Sequence, residues 1–228
     1  MEYTVAVGIP VGPRPGHRQW LNEALASCMA QTLRPEQVII VTDGSVGEMP
    51  STAAYSRGVA WWHAPWRIGP AAAFNCAVGL AAGADFVFFL ASDDTLEPQC
   101  LERCMAAAQA SPDPLRTIVY AGVRYMNDGH VQHDPCGAMM VPVGLWREIG
   151  GYPLETAVGA QDFLLWSALQ NWIIRNPGCG IRYVPAGPEP LYNYRTHPDT
   201  ENEMRKPWWP IVEAVHRHMD QNWRPDPC

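Results

Sequence analysis

The segment Phe86–Pro98, FVFFLASDDTLEP, combines the features that decide the fold of this chain. It opens with a run of bulky apolar residues, about the length of one strand that is buried on both faces of a sheet. Two adjacent carboxylates, Asp93 and Asp94, follow, and Glu97-Pro98 then predicts the start of a helix, where a proline costs no hydrogen bond. Acids at the carboxyl end of a central strand occupy the edge where open α/β sheets bind ligands. The segment therefore predicts an α/β protein with an acidic site.

The adjacent acids Asp93 and Asp94 allow two interpretations. Side by side, two carboxylates repel each other and become harder to ionise, and a divalent cation relieves that repulsion. Alternatively, one of them caps the helix that follows, by accepting a hydrogen bond from a backbone N–H of its first turn. The segment by itself leaves both a ligand site and a helix cap open.

The composition describes a globular protein and argues against several partners. The 228 residues suffice for one sizeable core, and 47% of them are hydrophobic. A net charge of −7 argues against nucleic-acid binding, and it means that an anionic substrate would need a cation between itself and the protein. The seven cysteines lack a zinc spacing, which indicates a reducing compartment. Because the sequence shows no leader and no apolar run long enough for a membrane span, we expect a cytoplasmic location.

The first half of the chain alternates between strand and helix patterns, which predicts a doubly wound, mostly parallel sheet flanked by helices. The predicted strands are Thr4–Ile9, Gln37–Thr42, Gly58–His63 and Phe86–Leu90, and the predicted helices are Gln19–Gln31 and the small-residue segment Gly69–Gly83. Between them, Val11–His17 predicts a loop because it is rich in glycine and proline, and Pro50–Arg57 is ambiguous. The segment GIPVGPRPG does not place its glycines as a dinucleotide-binding turn does.

The second half is less regular. The predicted elements are a helix over Glu97–Ala110, a strand over Thr117–Tyr125, an extended piece at Gly137–Val141, helices over Leu145–Ile149 and Ala160–Asn171, short strands at Tyr183-Val184 and Leu191–Arg195, and a terminal helix over Pro210–Asn222. We expect residues 1–200 to form one domain and residues 201–228 to form a helical extension packed on it.

Three acidic features end or begin these elements. Asp43 follows the second strand, Asp93 and Asp94 follow the fourth, and Asp162 begins a helix far downstream. Because parallel strands end at the same edge of a sheet, Asp43 and the Asp93-Asp94 pair are expected to share one cleft.

Four blocks of the sequence, in order, resemble the family 2 glycosyltransferases, which have the GT-A fold. The blocks are IPVGPRPGHRQWLNEALASCMAQTLRPEQVIIVTDGS, RIGPAAAFNCAVGLAAGADFVFFLASDD, GAMMVPVGLWREIGGYP with GAQDFLLW, and YNYRTH, and together they span roughly residues 4–200. The resemblance implies an inverting enzyme of the hexosyltransferase type. It would move a sugar from a nucleotide-diphosphate donor, generally a UDP-sugar, to a hydroxyl on a glycan, a protein or a small molecule.

The resemblance also implies roles at the donor site. Asp43 would accept a hydrogen bond from the ring N–H of uracil, although an Asp in a DGS turn can also serve the turn alone. Pro10, after the first strand, would lie at the same site. Arg67 and Arg195 would reach the diphosphate or the base, because arginine pairs well with planar and anionic groups.

The metal and the general base are implied in the same way. Asp93 and Asp94 would bind Mn²⁺ or Mg²⁺ and the ribose, and His197 would lie near the metal or the diphosphate, if it is not a surface-loop histidine. Asp162 would be the base that deprotonates the acceptor hydroxyl, with a helix N-cap as the alternative. Asn75 is expected to fix its helix rather than to touch the substrate. The acceptor is expected to rest on residues 126–160 and the tail after Tyr194.

Two departures from the family pattern keep other functions open. The first acid of the metal motif is Ala91, and the acid usually found before the base is Gln161. One alternative is therefore a catalytically silent homologue that binds nucleotide sugar or glycan. Independently of these departures, a nucleotidyltransferase stays open because it resembles this fold in its acidic metal site, and it would release pyrophosphate rather than a nucleoside diphosphate. We also expect Trp146, Trp208 and Trp209 to be candidates for stacking on the acceptor.

Overall fold

A computed structural model describes residues 2–12, 15–44, 58–81, 83–133, 138–152 and 161–197. These residues form a nine-stranded sheet with helices on both faces. The strands are β1 (Val5–Val11), β2 (Gln37–Thr42), β3 (Val59–His63), β4 (Phe86–Phe89), β5 (Thr95–Leu96), β6 (Thr117–Tyr125), β7 (Val131–Gln132), β8 (Met139–Pro142) and β9 (Arg182–Tyr194). The helices are α1 (Pro15–Met29), α2 (Gly69–Leu80), α3 (Cys100–Gln109), α4 (Val143–Glu148) and α5 (Gln161–Arg175).

The first half of the sheet is parallel, as the alternation of elements predicts. Its strand order is β3-β2-β1-β4, so β1 lies between β2 and β4, and all three strands end at the same edge. Every residue of β4 is buried, which confirms the prediction of a strand covered on both faces. Phe86 and Phe88 point to one core cluster, whereas Val87 and Phe89 point to the other.

The two core clusters show how the helices cover the sheet. Side chains of α1 and α3 pack on one face, and side chains of α2, α4 and α5 pack on the other. The approach of α2 is close, because a Cβ built on Gly8 of β1 would lie 2.9 Å from the Cβ of Ala77. The small residues of α2 thus let it pack tightly, which agrees with the prediction from its composition.

Beyond β4 the sheet continues through β8, β6, β9 and β5, with β7 paired to β6. The two predicted short strands near the end are one strand, β9, in which Pro185, Gly187, Pro188 and Pro190 look like interruptions in the sequence. The pairing with β6 absorbs them through register shifts between Tyr120 and Val123. On the opposite side, the described residues pair β9 only at Tyr192 and Asn193, so the prolines break no ladder there.

Two helix starts differ from the prediction. Helix α1 begins at Pro15, within the predicted loop, because a proline in the first helical turn sacrifices no hydrogen bond. Helix α3 begins at Cys100 rather than Glu97, since Thr95–Leu96 first forms β5. The ambiguous segment Pro50–Arg57 and the predicted helix Pro210–Asn222 lie outside the described residues. In the described part of the chain, no helix is both long and apolar enough to cross a membrane.

Ser27 on α1 and the buried Gln31, two residues beyond the end of α1, bond the segment behind the acidic pair. The amide nitrogen of Gln31 donates to the carbonyl of Glu97 at 2.8 Å, and its oxygen accepts the N–H of Leu101 at 3.0 Å. Ser27 accepts the N–H of Leu96 at 3.1 Å. Residues 96–101 are therefore held on α1, which fixes the place where the chain leaves Asp93 and Asp94.

Candidate active site

The candidate site lies at the carboxyl edge of the parallel strands. Asp43 follows β2, and its backbone N–H donates to the carbonyl of Val11 at the end of β1. Pro10 precedes that residue and faces Val41 in the register of β1 and β2. Asp93 follows β4 on the other side of β1, so the two acids are separated by two strand spacings, roughly 10 Å. The structure thus places Pro10, Asp43 and the acidic pair along one edge.

The carboxylate of Asp43 is buried against the loop that follows β3. Its Oδ1 accepts the N–H of Ile68 at 3.1 Å, and its Oδ2 lies 3.8 Å from Nε of Arg67, whose side chain is 73% exposed. Gly44 donates its N–H to the carbonyl of Trp66, and a Cβ at Gly44 would lie 2.4 Å from that carbonyl oxygen. The aspartate therefore holds a loop 25 residues away, and its second oxygen faces an exposed guanidinium.

The carboxylate of Asp94 is buried and bonded to the end of β9, and its predicted role as a metal ligand remains a prediction. Its side chain is 2% exposed; Oδ2 accepts the hydroxyl of Tyr192 at 2.6 Å, and Oδ1 accepts the N–H of Arg195 at 2.7 Å. Burial, and to a lesser extent the charge of Asp93, raise the pKa of Asp94 well above its usual value, and the two hydrogen bonds oppose that rise. Since both oxygens already have protein donors, Asp94 joins the loop after β4 to the end of β9.

Asp93 faces a histidine. Its Oδ2 lies 3.0 Å from Nε2 of His197, and the His197 side chain is only 9% exposed. The alternative that His197 is a surface-loop residue is therefore wrong. The alternative that Asp93 or Asp94 caps the next helix is also wrong, because α3 has Gln99 at its N-cap position and the side-chain oxygen of Gln31 accepts the first-turn N–H of Leu101.

Arg195 joins three parts of the site. Its Nε donates to the carbonyl of Asp93 at 2.8 Å, its terminal nitrogen pairs with Glu23 of α1, and its guanidinium carbon lies 5.4 Å from the ring centroid of Trp20. The predicted role at the diphosphate or the base remains a prediction. These contacts show that the guanidinium tethers the end of β9 to α1.

Tyr192, which was not among the predicted site residues, bonds the loop after β4 at two points. Its hydroxyl donates to Asp94 and accepts the N–H of Ala91 at 3.1 Å. Burial and the neighbouring Asp94 carboxylate raise the pKa of Tyr192, so the phenol keeps its proton. The alternation Tyr192-Asn193-Tyr194 was the available signal, because it puts both tyrosines on one face of a strand.

Asn75 holds two segments together, as expected of a structural residue. Its amide nitrogen donates to the carbonyl of Tyr152 at 2.8 Å, and its oxygen accepts the N–H of the same residue at 2.9 Å. The expectation that Trp146 stacks on the acceptor is wrong, because Trp146 is buried against Phe89, Tyr152 and Trp166. Trp208 and Trp209 lie outside the described residues.

The predicted base is located only by its backbone. Gln161 and Asp162 are the first two residues of α5, and their side chains lie outside the described part of the structure. A helix start agrees with the predicted position, and it leaves both the catalytic role and the capping role of Asp162 as predictions.

The donor set at Asp93 and His197 fits a divalent cation that is shared with a substrate. Within the described ranges, no three His, Cys, Asp or Glu side chains gather as a closed metal cluster. Hard cations such as Mg²⁺ often take one or two protein carboxylates and complete their shell with substrate phosphates and water. Asp93 supplies one such carboxylate and His197 a neighbouring imidazole nitrogen, so these residues suit a metal that arrives with a diphosphate.

Comparison with known proteins agrees with this architecture. The sequence model described as Glycosyl transferase family 2 matches residues 7–154, and no curated protein sequence matches. The structure of S. aureus TarS 1–349 in complex with UDP has a TM-score of 0.67 at 14% identity, over 98% of this chain and 67% of that one.

Two further structures are similar. TarS 1–349 in complex with UDP-GlcNAc has a TM-score of 0.67 at 13% identity, over 96% of this chain and 70% of that one. Mannosyltransferase PcManGT from Pyrobaculum calidifontis, in complex with GDP-Man and Mn²⁺, has a TM-score of 0.68 at 16% identity, over 100% of this chain and 67% of that one. The chain thus spans about two thirds of TarS 1–349 and of PcManGT. It belongs to glycosyl transferase family 2 and is a glycosyltransferase with the GT-A fold.

Proposed function

We propose that this chain is an inverting glycosyltransferase that moves a sugar from a UDP-sugar to a hydroxyl on a glycan, a protein or a small molecule. One observation carries the proposal. The buried Asp43 and the Asp93–His197 pair lie along the same edge of the sheet. Structures similar to this chain hold UDP, UDP-GlcNAc or GDP-Man with Mn²⁺, which supports a nucleotide-diphosphate donor.

Asp43 would recognise the nucleobase. Its Oδ1 is occupied by the N–H of Ile68, whereas Oδ2 has Arg67 only at 3.8 Å. An acceptor in this position suits the ring N–H of uracil, and the exposed Arg67 beside it can turn toward a base carbonyl or a phosphate. Pro10, on the neighbouring strand, would contribute to the same donor site.

We assign the metal to Asp93 and His197 and not to Asp94. The hydrogen bonds from Tyr192 and Arg195 use both oxygens of Asp94 inside the protein, whereas Asp93 is turned toward His197. When bound, Mn²⁺ or Mg²⁺ neutralises the charge that develops on the departing diphosphate. The two residues would hold the ion, and Asp94 would keep Asp93 in place through the backbone.

We propose a single displacement in which Asp162 is the only general base. The acceptor oxygen forms a bond to the anomeric carbon while its proton passes to Asp162, and the bond from that carbon to the diphosphate oxygen breaks with its electron pair. One displacement from the face opposite the leaving group inverts the anomeric configuration. This assignment places the reacting hydroxyl at the N-terminus of α5.

The direct test of the proposal is a panel of nucleotide sugars. UDP-sugars should raise the melting temperature with Mn²⁺ and much less with EDTA, because a ligand present at a hundred times its Kd stabilises the native state by about 2.7 kcal/mol. The UDP-sugar that shifts the melting temperature most should then release UDP with an acceptor present. Binding without any release would identify a catalytically silent binder. Release of pyrophosphate in a parallel assay with UTP and a sugar 1-phosphate would identify a nucleotidyltransferase.

Asp43→Asn isolates the base contact from the loop contact. The amide oxygen of the variant still accepts the N–H of Ile68, but an NH₂ group replaces Oδ2 and meets the uracil N–H donor to donor. We expect UDP affinity to fall by about 1.5–3 kcal/mol, roughly tenfold to a hundredfold in Kd, as measured by calorimetry.

The melting temperature of Asp43→Asn should stay near that of the parent, and its response to Mn²⁺ should persist. Arg67→Ala tests the guanidinium separately, because it removes the exposed partner of Asp43, which we also place at the donor, and leaves the Ile68 bond in place. UDP binding as tight as that of the parent in Asp43→Asn would limit Asp43 to holding the loop.

A further inference from the structure

The side chain of Trp20, on α1, lies against Arg195 and His197, in the segment that leads from β9 to the proposed metal site. Its ring centroid is 4.3 Å from that of His197, with 42° between the planes, and 5.4 Å from the guanidinium carbon of Arg195. Residues 195–197 have no regular secondary structure. A segment of this kind depends on side-chain contacts for a fixed conformation.

The described contacts of this segment converge on two elements. In the loop after β4, Asp94 accepts the backbone N–H of Arg195, and the carbonyl of Asp93 accepts its Nε–H. On helix α1, Glu23 pairs with the guanidinium and the Trp20 ring lies against it. The imidazole of His197 has Asp93 at its Nε2 and the Trp20 ring at its face. The indole thus lies against the imidazole that carries Nε2 and against the guanidinium of Arg195, two residues earlier in the same segment.

We propose that Trp20 is a positioning residue that presets the Asp93–His197 pair for a divalent cation bound with the donor diphosphate. The inference rests on the proposed function and adds a role for α1 to it. A flat aromatic face suits both neighbours, since it packs on an imidazole and attracts a guanidinium through the cation–π interaction. An aliphatic side chain would fill part of the same volume without orienting either group.

The comparison of Trp20→Phe with Trp20→Leu tests this role. Both variants keep an apolar side chain on a half-buried position, but only phenylalanine keeps an aromatic face. In the presence of Mn²⁺, we expect the Kd for UDP to rise about tenfold in Trp20→Leu and to stay within about threefold of the parent in Trp20→Phe, as for other groups that orient metal ligands. UDP binding in EDTA should be the same in all three proteins.

A second measurement uses the protein without metal or nucleotide. The ring current of Trp20 should shift the imidazole proton resonances of His197 upfield, and the shift should shrink in Trp20→Leu and persist in part in Trp20→Phe. Met29→Ala is the matched control on α1, because Met29 is exposed and lies on the last turn of the helix. It should leave both readouts at their parent values.

The outcomes separate this inference from the proposed function. If the parent binds UDP more tightly with Mn²⁺ and Trp20→Leu does so equally well, the positioning role is overturned while the proposed function stands. If the His197 resonances do not respond to Trp20→Leu, the positioning role is overturned as well. If the parent shows no metal-dependent UDP binding, the proposed metal site fails and this inference fails with it.

Discussion

Asp162→Asn is expected to slow sugar transfer by ~10²–10⁴, the usual contribution of a general base. Asparagine has the size of aspartate and keeps an oxygen that can cap α5, but it cannot take the proton of the acceptor hydroxyl. Because a base acts in the transition state and contributes little to donor affinity, UDP-sugar binding should be nearly unchanged. Initial rates of UDP release at saturating donor and acceptor measure the effect.

Two controls make the interpretation of Asp162→Asn specific. The melting temperature should match that of the parent, since a lost cap would cost ~1 kcal/mol of stability and asparagine caps as well as aspartate. Gln161→Glu places the acid that is usual in the family before Asp162, and this variant should still transfer sugar. Full activity in Asp162→Asn, or a product of the parent with retained anomeric configuration, would exclude Asp162 as the base of a single displacement.

Asp94→Ala is expected to lose stability, whereas Asp93→Ala is expected to lose the metal-dependent part of UDP binding. Removing Asp94 leaves the Tyr192 hydroxyl and the N–H of Arg195 without their acceptor in a buried place, which should lower the free energy of unfolding by about 2–4 kcal/mol. Removing Asp93 takes away a carboxylate that faces His197, so the fold should remain near parent stability while the Mn²⁺-dependent part of UDP binding disappears.

Chemical denaturation and calorimetry with UDP, each with and without Mn²⁺, separate the two variants. Tyr192→Phe is the matched control, because it removes one donor from Asp94 and keeps the ring. It should destabilise the protein by about 1–3 kcal/mol, because it removes two hydrogen bonds, one to Asp94 and one from the N–H of Ala91. A stable Asp94→Ala protein that has lost its metal response would transfer the ligand role to Asp94.

The division of work between the adjacent acids has a geometric cause. Asp93 and Asp94 follow one another after a strand, so their side chains leave the chain in different directions. Asp94 lies at the end of β9 and accepts hydrogen bonds from Tyr192 and from the N–H of Arg195, whereas Asp93 lies beside His197. The buried carboxylate of Asp94 therefore fixes the loop that also carries the half-buried Asp93.

Much of the fold is local information, and the sequence alone predicted it. The strand Gln37–Thr42 has the predicted bounds, and the order of strands and helices through β4 follows from apolar runs separated by turn residues. Parallel connectivity then brings Asp43 and Asp93 to one edge without any knowledge of packing. The sequence predicted a loop where α1 begins at Pro15, and two short strands where β9 is continuous. Both predictions were wrong because prolines that a first helical turn or a free strand edge tolerates look like breaks in the sequence.

The partners of each site residue were decided only by the tertiary structure. Tyr192 and Asp94 are 98 residues apart, His197 and Asp93 are 104 apart, and Arg195 and Glu23 are 172 apart. A local pattern carries no information about contacts at such separations, so Asp93 and Asp94 are equivalent in the sequence. Packing of α1 and β9 against the loop after β4 places Asp94 against donors of β9 and Arg195 and places Asp93 beside His197, because a buried carboxylate needs hydrogen-bond donors.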